Sequence, residues 1–283
     1  MESISELRKI CQTTRPSIFK DFLNKFYYRF SIYFTWLCIL LKLSANQVTI
    51  ISVLFSILGG ILISIGDKNL TIIGFVCFHI FAILDMSDGE VARYRNQGGM
   101  TGHFLDWYMH FITSLAMMLG LFLHSFDALG SGILISLGII SITVPIFDKI
   151  ITSSGWTVIV WTRLRDIKNN VKPNIVKKDK VLKQKKNSNY FFKLVKFIAL
   201  HLLQDHWIKL SLLIISIIDL IFYNLGLVFF DYIFYTLIYI GIIGPIYIYF
   251  QIYKIMNSDR LLDGYNRLFI SKEEPIFPDA DFL

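Results

Sequence analysis

Residues 48–66 run for nineteen positions without an ionisable side chain. As a helix that stretch is about 28 Å long, close to the roughly 30 Å hydrocarbon thickness of a bilayer. Further apolar runs follow at 70–84, 102–124, 131–147, 207–230 and 232–253. In hydrocarbon a chain must satisfy its backbone hydrogen bonds internally, and helices of this length do so segment by segment. The runs therefore predict an all-α polytopic membrane protein with six transmembrane helices. Composition excludes an ordinary soluble domain, because 54% of the residues are hydrophobic against 17% charged.

The N-terminal part reads differently. Residues 1–29 carry Arg8, Lys9, Arg15, Lys20, Lys25 and Arg29, while Phe19, Phe22, Phe26 and Phe30 recur at helical spacing. That pattern predicts an amphipathic helix on the membrane surface. A solvated helix packed on a neighbour would read the same way. The apolar run 30–41 is short for a span and suits an interfacial or re-entrant helix. Ser44 or Asn46 can cap the helix that follows. Residues 1–25 lack the apolar core of a cleavable signal, so insertion is expected to rely on the internal helices. The expected organisation is an amphipathic segment over 1–44, a membrane domain over 45–255 and a polar tail over 256–283. No internal repeat is visible. Cys11, Cys38 and Cys77 show neither a disulfide framework nor metal spacing.

The formal net charge is +7, and its distribution matters more than its size. Lys and Arg gather in residues 1–29, 89–101, 162–196 and the tail, whereas the alternate turns at 67–69, 125–130 and 224–231 carry only Lys68. By the positive-inside rule both termini are cytoplasmic, and so is the link between the second and third spans. This patchiness points to a membrane face, the plasma or inner membrane, and not to nucleic acid.

At that cytoplasmic link the apolar pattern is broken by carboxylates. Asp85 and Asp88 end the second run, and Asp106 and His110 lie in the third. A carboxylate at membrane depth costs about 3 kcal/mol unless something compensates, so the group marks a functional site. Spacings of three and four place Asp85 with Asp88, and Asp106 with His110, on shared helix faces. Such an acid-rich set suits a hard divalent cation, Mg²⁺ first and Mn²⁺ or Ca²⁺ behind it. The cation would bridge a pyrophosphate and assist displacement at phosphorus. Gly89, Ala92 and Gly102 leave room beside the backbone, and Arg93 can pair a phosphate bidentately. Taken singly, Gly89 can be a turn residue, Gly102 a helix start and Arg93 a topology marker. Residues 89–101 read as a short polar link carrying Arg93 and Arg95. Asp219, in the fifth run, is expected to face other helices.

The spacing Asp85-x2-Asp88-Gly89-x2-Ala92-Arg93-x8-Gly102-x3-Asp106 resembles the signature of the CDP-alcohol phosphotransferase family (CDP-alcohol phosphatidyltransferases). Asn46 and Thr49 resemble the family's P-N-x-x-T element, with Ala45 in the usual place of proline. The resemblance covers about residues 45–110. It implies a membrane enzyme that transfers a substituted phosphate from a CDP-linked alcohol, such as CDP-diacylglycerol, to an acceptor hydroxyl and releases CMP. It also implies metal ligation by Asp85, Asp88 and Asp106, and a CDP site at Asn46, Thr49, Gly89, Ala92, Arg93 and Gly102. A homodimer is the common state in such a family.

One position departs. The signature's final aspartate, the proposed general base, is His110 here. Three readings stand: His110 as base, His110 as a ligand favouring a softer ion, and an inert residue in a non-catalytic relative. His103, beside Gly102, is a weaker substitute. Lys149, Arg163 and Lys196 are cations available to a phosphorylated acceptor. The basic stretch 162–196 can equally lie on anionic lipid. Outside the enzyme reading, a nucleotide- or metal-binding membrane protein is the main alternative. A transporter would call for repeated halves or broken helices.

Overall fold

In the computed structural model, residues 2–12, 22–96, 99–126, 130, 132–168, 205–227 and 231–256 are described. Among them the regular structure is entirely helical. In chain order the helices are α1 (Ile4–Gln12), α2 (Phe22–Leu40), α3 (Ala45–Ser64), α4 (Lys68–Tyr94), α5 (Met100–His124), α6 (Gly132–Lys168), α7 (Asp205–Asn224) and α8 (Tyr232–Met256). Five are long and apolar enough to cross a membrane: α3, α4, α5, α6 and α8. The expected fifth span falls on α7, which carries Lys209 and Asp219.

Local chemistry sets the ends of the central helices. Ser44 caps α3 with a full capping box, its hydroxyl accepting from the Gln47 N–H while Gln47 Oε1 accepts from the Ser44 N–H. Asp67 caps α4 by accepting from the Leu70 N–H. After α4, Asn96 takes a left-handed φ of 51°, a conformation that asparagine tolerates at a helix end.

α3 is the platform on which α4 and α5 are mounted. A Cβ built on Gly59 would lie 2.7 Å from the Gly74 carbonyl oxygen of α4. One built on Gly60 would lie 2.4 Å from the Ala116 carbonyl oxygen of α5. Only glycine permits this backbone approach, which draws three spans into one unit. Around that crossing lies the largest apolar core, with Ile63, Phe75, Phe78, Met117 and Leu121 buried together with Leu237 of α8 and Leu212 of α7. At the far end, Asp219 of α7 pairs with Lys68 and so faces another helix.

Three expected boundaries differ. α4 does not stop at Leu84; it continues through Tyr94, so Asp85 to Arg93 are helical and the link shrinks to the few residues before Met100. The segment 22–40 is one helix, joining the basic amphipathic part to the short apolar run. The fourth run continues through Asp148, Lys149 and 156–161 as the 37-residue α6. At about 1.5 Å per residue α6 is roughly 55 Å long, more than a bilayer core holds. Most of the 162–196 stretch, Lys196 included, the tail 257–283, and Arg15, Phe19 and Lys20 lie outside the described residues.

Candidate metal and nucleotide site

The site lies where α3 begins, α4 ends and α5 begins. Asp85 and Asp88 are one turn apart on α4, and Asp106 and His110 one turn apart on α5. Because α3 holds both helices, the two pairs face one another. His110 Nε2 lies 3.4 Å from Asp85 Oδ1 and 3.5 Å from Asp106 Oδ1. One ligand atom from each of Asp85, Asp106 and His110 falls within 4.8 Å of the others. The ring of Phe81, one turn before Asp85, packs edge-on against the His110 imidazole at 5.9 Å and limits its motion.

This donor set fits a divalent cation. Two carboxylates and an imidazole converge, and all three residues are half-buried, open enough to admit an ion and its remaining ligands. Side-chain exposure is 17% at Asp85, 28% at His110 and 46% at Asp106. Spacing predicts that Asp85, Asp88, Asp106 and His110 share one pocket, and the ligand set implied by the resemblance is Asp85, Asp88 and Asp106; the atoms that converge within 4.8 Å belong to Asp85, Asp106 and His110. Asp88 is 8% exposed, and its Oδ2 accepts a 2.6 Å hydrogen bond from Thr49 Oγ1. Thr49 thereby orients a carboxylate next to the trio, as hydrogen bonds do behind many metal ligands.

Of the two glycine positions, Gly102 has open space beside it, unlike the α3 crossing, whereas Gly89 lies against a side chain. A Cβ on Gly102 would meet only Asn46 Oδ1, at 3.9 Å. A Cβ on Gly89 would meet the guanidinium of Arg93, with Nη1 at 3.3 Å. Protein packing therefore does not demand glycine at 102, where the room beside the backbone is available to a ligand, while at 89 the Arg93 guanidinium would have to give way to a Cβ. Asn46 is exposed at the start of α3, and Ala92 is half-buried one turn beyond Asp88. Arg93 spends its Nε on the Cys11 carbonyl at 2.7 Å, which leaves the two Nη groups beside Gly89. His103 and Lys149 are near enough to Asp106 to act on it electrostatically.

Spacing gives no hint of the role of Glu90, which is fully buried on α4. It accepts from Gln12 Nε2 at 2.8 Å, Ser31 Oγ at 2.6 Å and Thr35 Oγ1 at 2.6 Å. These partners belong to α1 and α2, so Glu90 ties the N-terminal helices to the helix that bears the site. The network explains why α4 continues: a helix end that looks polar in sequence is satisfied by side chains from elsewhere.

A family model described as CDP-alcohol phosphatidyltransferase matches residues 42–246, more than two thirds of the chain. No curated protein matches it.

Proposed function

The chain belongs to the CDP-alcohol phosphatidyltransferase family, and from that premise we propose that the cleft between α4 and α5 transfers a substituted phosphate from a CDP-linked alcohol to an acceptor hydroxyl, releasing CMP. Family membership carries the coarser statement: a membrane transferase that moves a phosphate-linked group from a CDP-alcohol. A lipid substrate such as CDP-diacylglycerol, and a place in phospholipid synthesis, are our proposal. The observation that carries the site is the convergence of Asp85, Asp106 and His110.

Asp85, Asp88 and Asp106 would hold a divalent cation, with Mg²⁺ first and Mn²⁺ second. When bound, it would neutralise the pyrophosphate and draw charge from the phosphorus under attack. The chain's own residues do the rest. Asn46, Thr49, Gly89, Ala92 and Gly102 accommodate the nucleotide, and the Nη groups of Arg93 pair a phosphate. His110 Nε2 takes the proton of the acceptor hydroxyl. The acceptor oxygen bonds to the phosphorus that carries the alcohol, the bond from that phosphorus to CMP breaks, and CMP leaves with the electron pair. A second reading is favoured by the same 4.8 Å convergence: His110 is itself a ligand and shifts the preference toward Mn²⁺ or a softer ion.

The charge pattern supports six spans with both termini and the site on the cytoplasmic side of the plasma or inner membrane, where nucleotides are available. A homodimer is part of the same proposal. The test is CMP release by purified protein with CDP-diacylglycerol or CDP-choline, a panel of acceptors, and Mg²⁺ or Mn²⁺. CMP release that Asp106→Asn abolishes is the expected result. No CMP from any pair of substrates would leave a non-catalytic binding protein of the same fold.

A further inference from the structure

A polar cavity lies between α1 and α2. Its volume is about 430 Å³, and Arg8, Gln12, Lys25, Tyr28, Arg29 and Tyr33 line it. That is within the roughly 300–1,000 Å³ range of small-molecule sites. Three cations face it, and among the described residues no carboxylate lines it. Arg8 is held in place from three directions. Its Nη2 donates to the Arg29 carbonyl at 2.9 Å, its Nη1 to Gln12 Oε1 at 3.3 Å, and its guanidinium lies 6.0 Å from the centre of the Tyr33 ring.

Two further observations indicate the ligand. Phe22, Phe26, Phe30, Tyr33, Leu37 and Leu40 form an exposed apolar stripe along α2, beside Lys25 and Arg29. Cations that flank an apolar stripe are placed to meet a lipid headgroup while the stripe meets the acyl chains. The cavity is also wired to the catalytic helix. Gln12, one of its lining residues, donates to both the Tyr28 carbonyl and Glu90, each at 2.8 Å. Glu90 follows Asp85 by five residues, about 140° round the helix, so the cavity and the metal cluster address different faces of α4.

We propose that this cavity is a binding site for a phosphate group, with the headgroup of an anionic phospholipid the source that the adjoining stripe favours, and that its occupancy locks α1 onto the end of α4. A phosphate between Arg8 of α1 and Lys25 and Arg29 of α2 neutralises three like charges and joins the two helices. α1 in turn holds the end of α4 through Gln12 to Glu90 and through the Cys11 carbonyl to Arg93. The site is independent of the transferase reading, and its test does not use activity.

Cys11 reports the docking of α1. Its side chain is fully buried, and burial with the Glu90 charge nearby pushes the thiol up to about 11. It therefore reacts when α1 lifts away. The full chain is reconstituted in phosphatidylcholine vesicles with and without phosphatidate. N-ethylmaleimide labelling of Cys11 is followed by mass spectrometry, apart from Cys38 and Cys77. A lipid at ten times its Kd that binds only the docked form slows labelling about tenfold. The double variant Lys25→Gln with Arg29→Gln is expected to label no faster than the wild type in phosphatidylcholine, since two like charges are gone, and to lose the phosphatidate effect. Inorganic phosphate added to neutral vesicles separates the sources: slowing there, absent in the double variant, supports the phosphate site with the free ion as ligand. Unchanged labelling with both probes overturns the proposal. So does slowing by phosphatidate that persists in the double variant, since that reports surface charge alone.

Discussion

α4 carries two groups of buried or half-buried carboxylates, and they are solved in opposite ways. Glu90 has no exposure and three side-chain donors from α1 and α2 at 2.6 to 2.8 Å. Asp85 and Asp106 approach His110 Nε2 at 3.4 and 3.5 Å, and Asp106 remains nearly half exposed. The first is a carboxylate that the fold has satisfied, and ordering the N-terminal helices is its use. The second is a half-buried set in which two carboxylates and an imidazole converge, the arrangement on which the proposed cation site rests. The more deeply buried carboxylate is the one with three side-chain donors in place.

The sharpest way to break this comparison is Asp106→Asn. It preserves shape and removes one charge facing Asp85 and His110. If the cluster holds a cation that stabilises the transition state by several kcal/mol, CMP release falls about 10³-fold. The melting temperature of the purified protein is expected to hold or rise, since a repulsive pair is relieved. A variant that unfolds while its folded fraction stays active would make the Asp85 cluster structural after all.

His110 comes next. A general base contributes about 10²-fold or more, so His110→Ala is expected to lose about that much. His110→Asp restores the signature's usual residue and is expected to regain part of the activity. If His110 is instead a ligand, His110→Asp changes the metal preference: the ratio of activity with Mn²⁺ to that with Mg²⁺ falls while the maximal rate is nearly kept.

Much of the candidate cluster was legible because its signals are local. Three- and four-residue spacings on a helix put Asp85 beside Asp88 and Asp106 beside His110 without reference to the rest of the fold, and the structure keeps both pairings. The hidden parts depend on distant residues. Glu90 is partnered by Gln12, Ser31 and Thr35, which are 78, 59 and 55 residues away. No periodicity encodes that. The same network lets α4 run on through Gly89 to Tyr94, where composition alone reads as a polar link. In α6, too, Asp148 and Lys149 look like an end, yet the helix goes on past them. Charges in sequence suggest a boundary, and tertiary partners decide whether there is one.

Thr49 tests how far the functional side extends. Its hydroxyl donates to Asp88 at 2.6 Å, while the trio that converges is Asp85, Asp106 and His110. Thr49→Val keeps the volume and removes the donor. Hydrogen bonds behind metal ligands are worth about 10–100-fold in metal affinity. The lower end is expected here, about tenfold in the Mg²⁺ concentration needed for half-maximal CMP release, with the rate at saturating Mg²⁺ nearly restored. An unchanged Mg²⁺ requirement would place Asp88 with Glu90, among the carboxylates satisfied for structure.

Glu90→Gln is the smallest expected change in chemistry and the closest test of the other side of the comparison. Glutamine keeps one acceptor but turns the second oxygen into a donor, facing either Thr35 or the Ser31 and Gln12 pair. One buried donor (Thr35) or two (Ser31 and Gln12) then lose their partner, at about 1–3 kcal/mol each. The loss should appear as faster N-ethylmaleimide labelling of Cys11 and a lower melting temperature, because the bond that fails is the one seating α1 and α2 on α4. CMP release per folded molecule should be largely unchanged, since Glu90 faces away from the cleft and nothing in the cluster touches it. The two carboxylate groups would then separate along two measurements: Asp106→Asn abolishing turnover without loosening the helices, and Glu90→Gln loosening the helices without abolishing turnover. If Glu90→Gln instead lowers turnover at low temperature, where the protein is folded, the N-terminal helices do more than support α4. The Arg93 contact with the Cys11 carbonyl would be the route by which their seating reaches the nucleotide site.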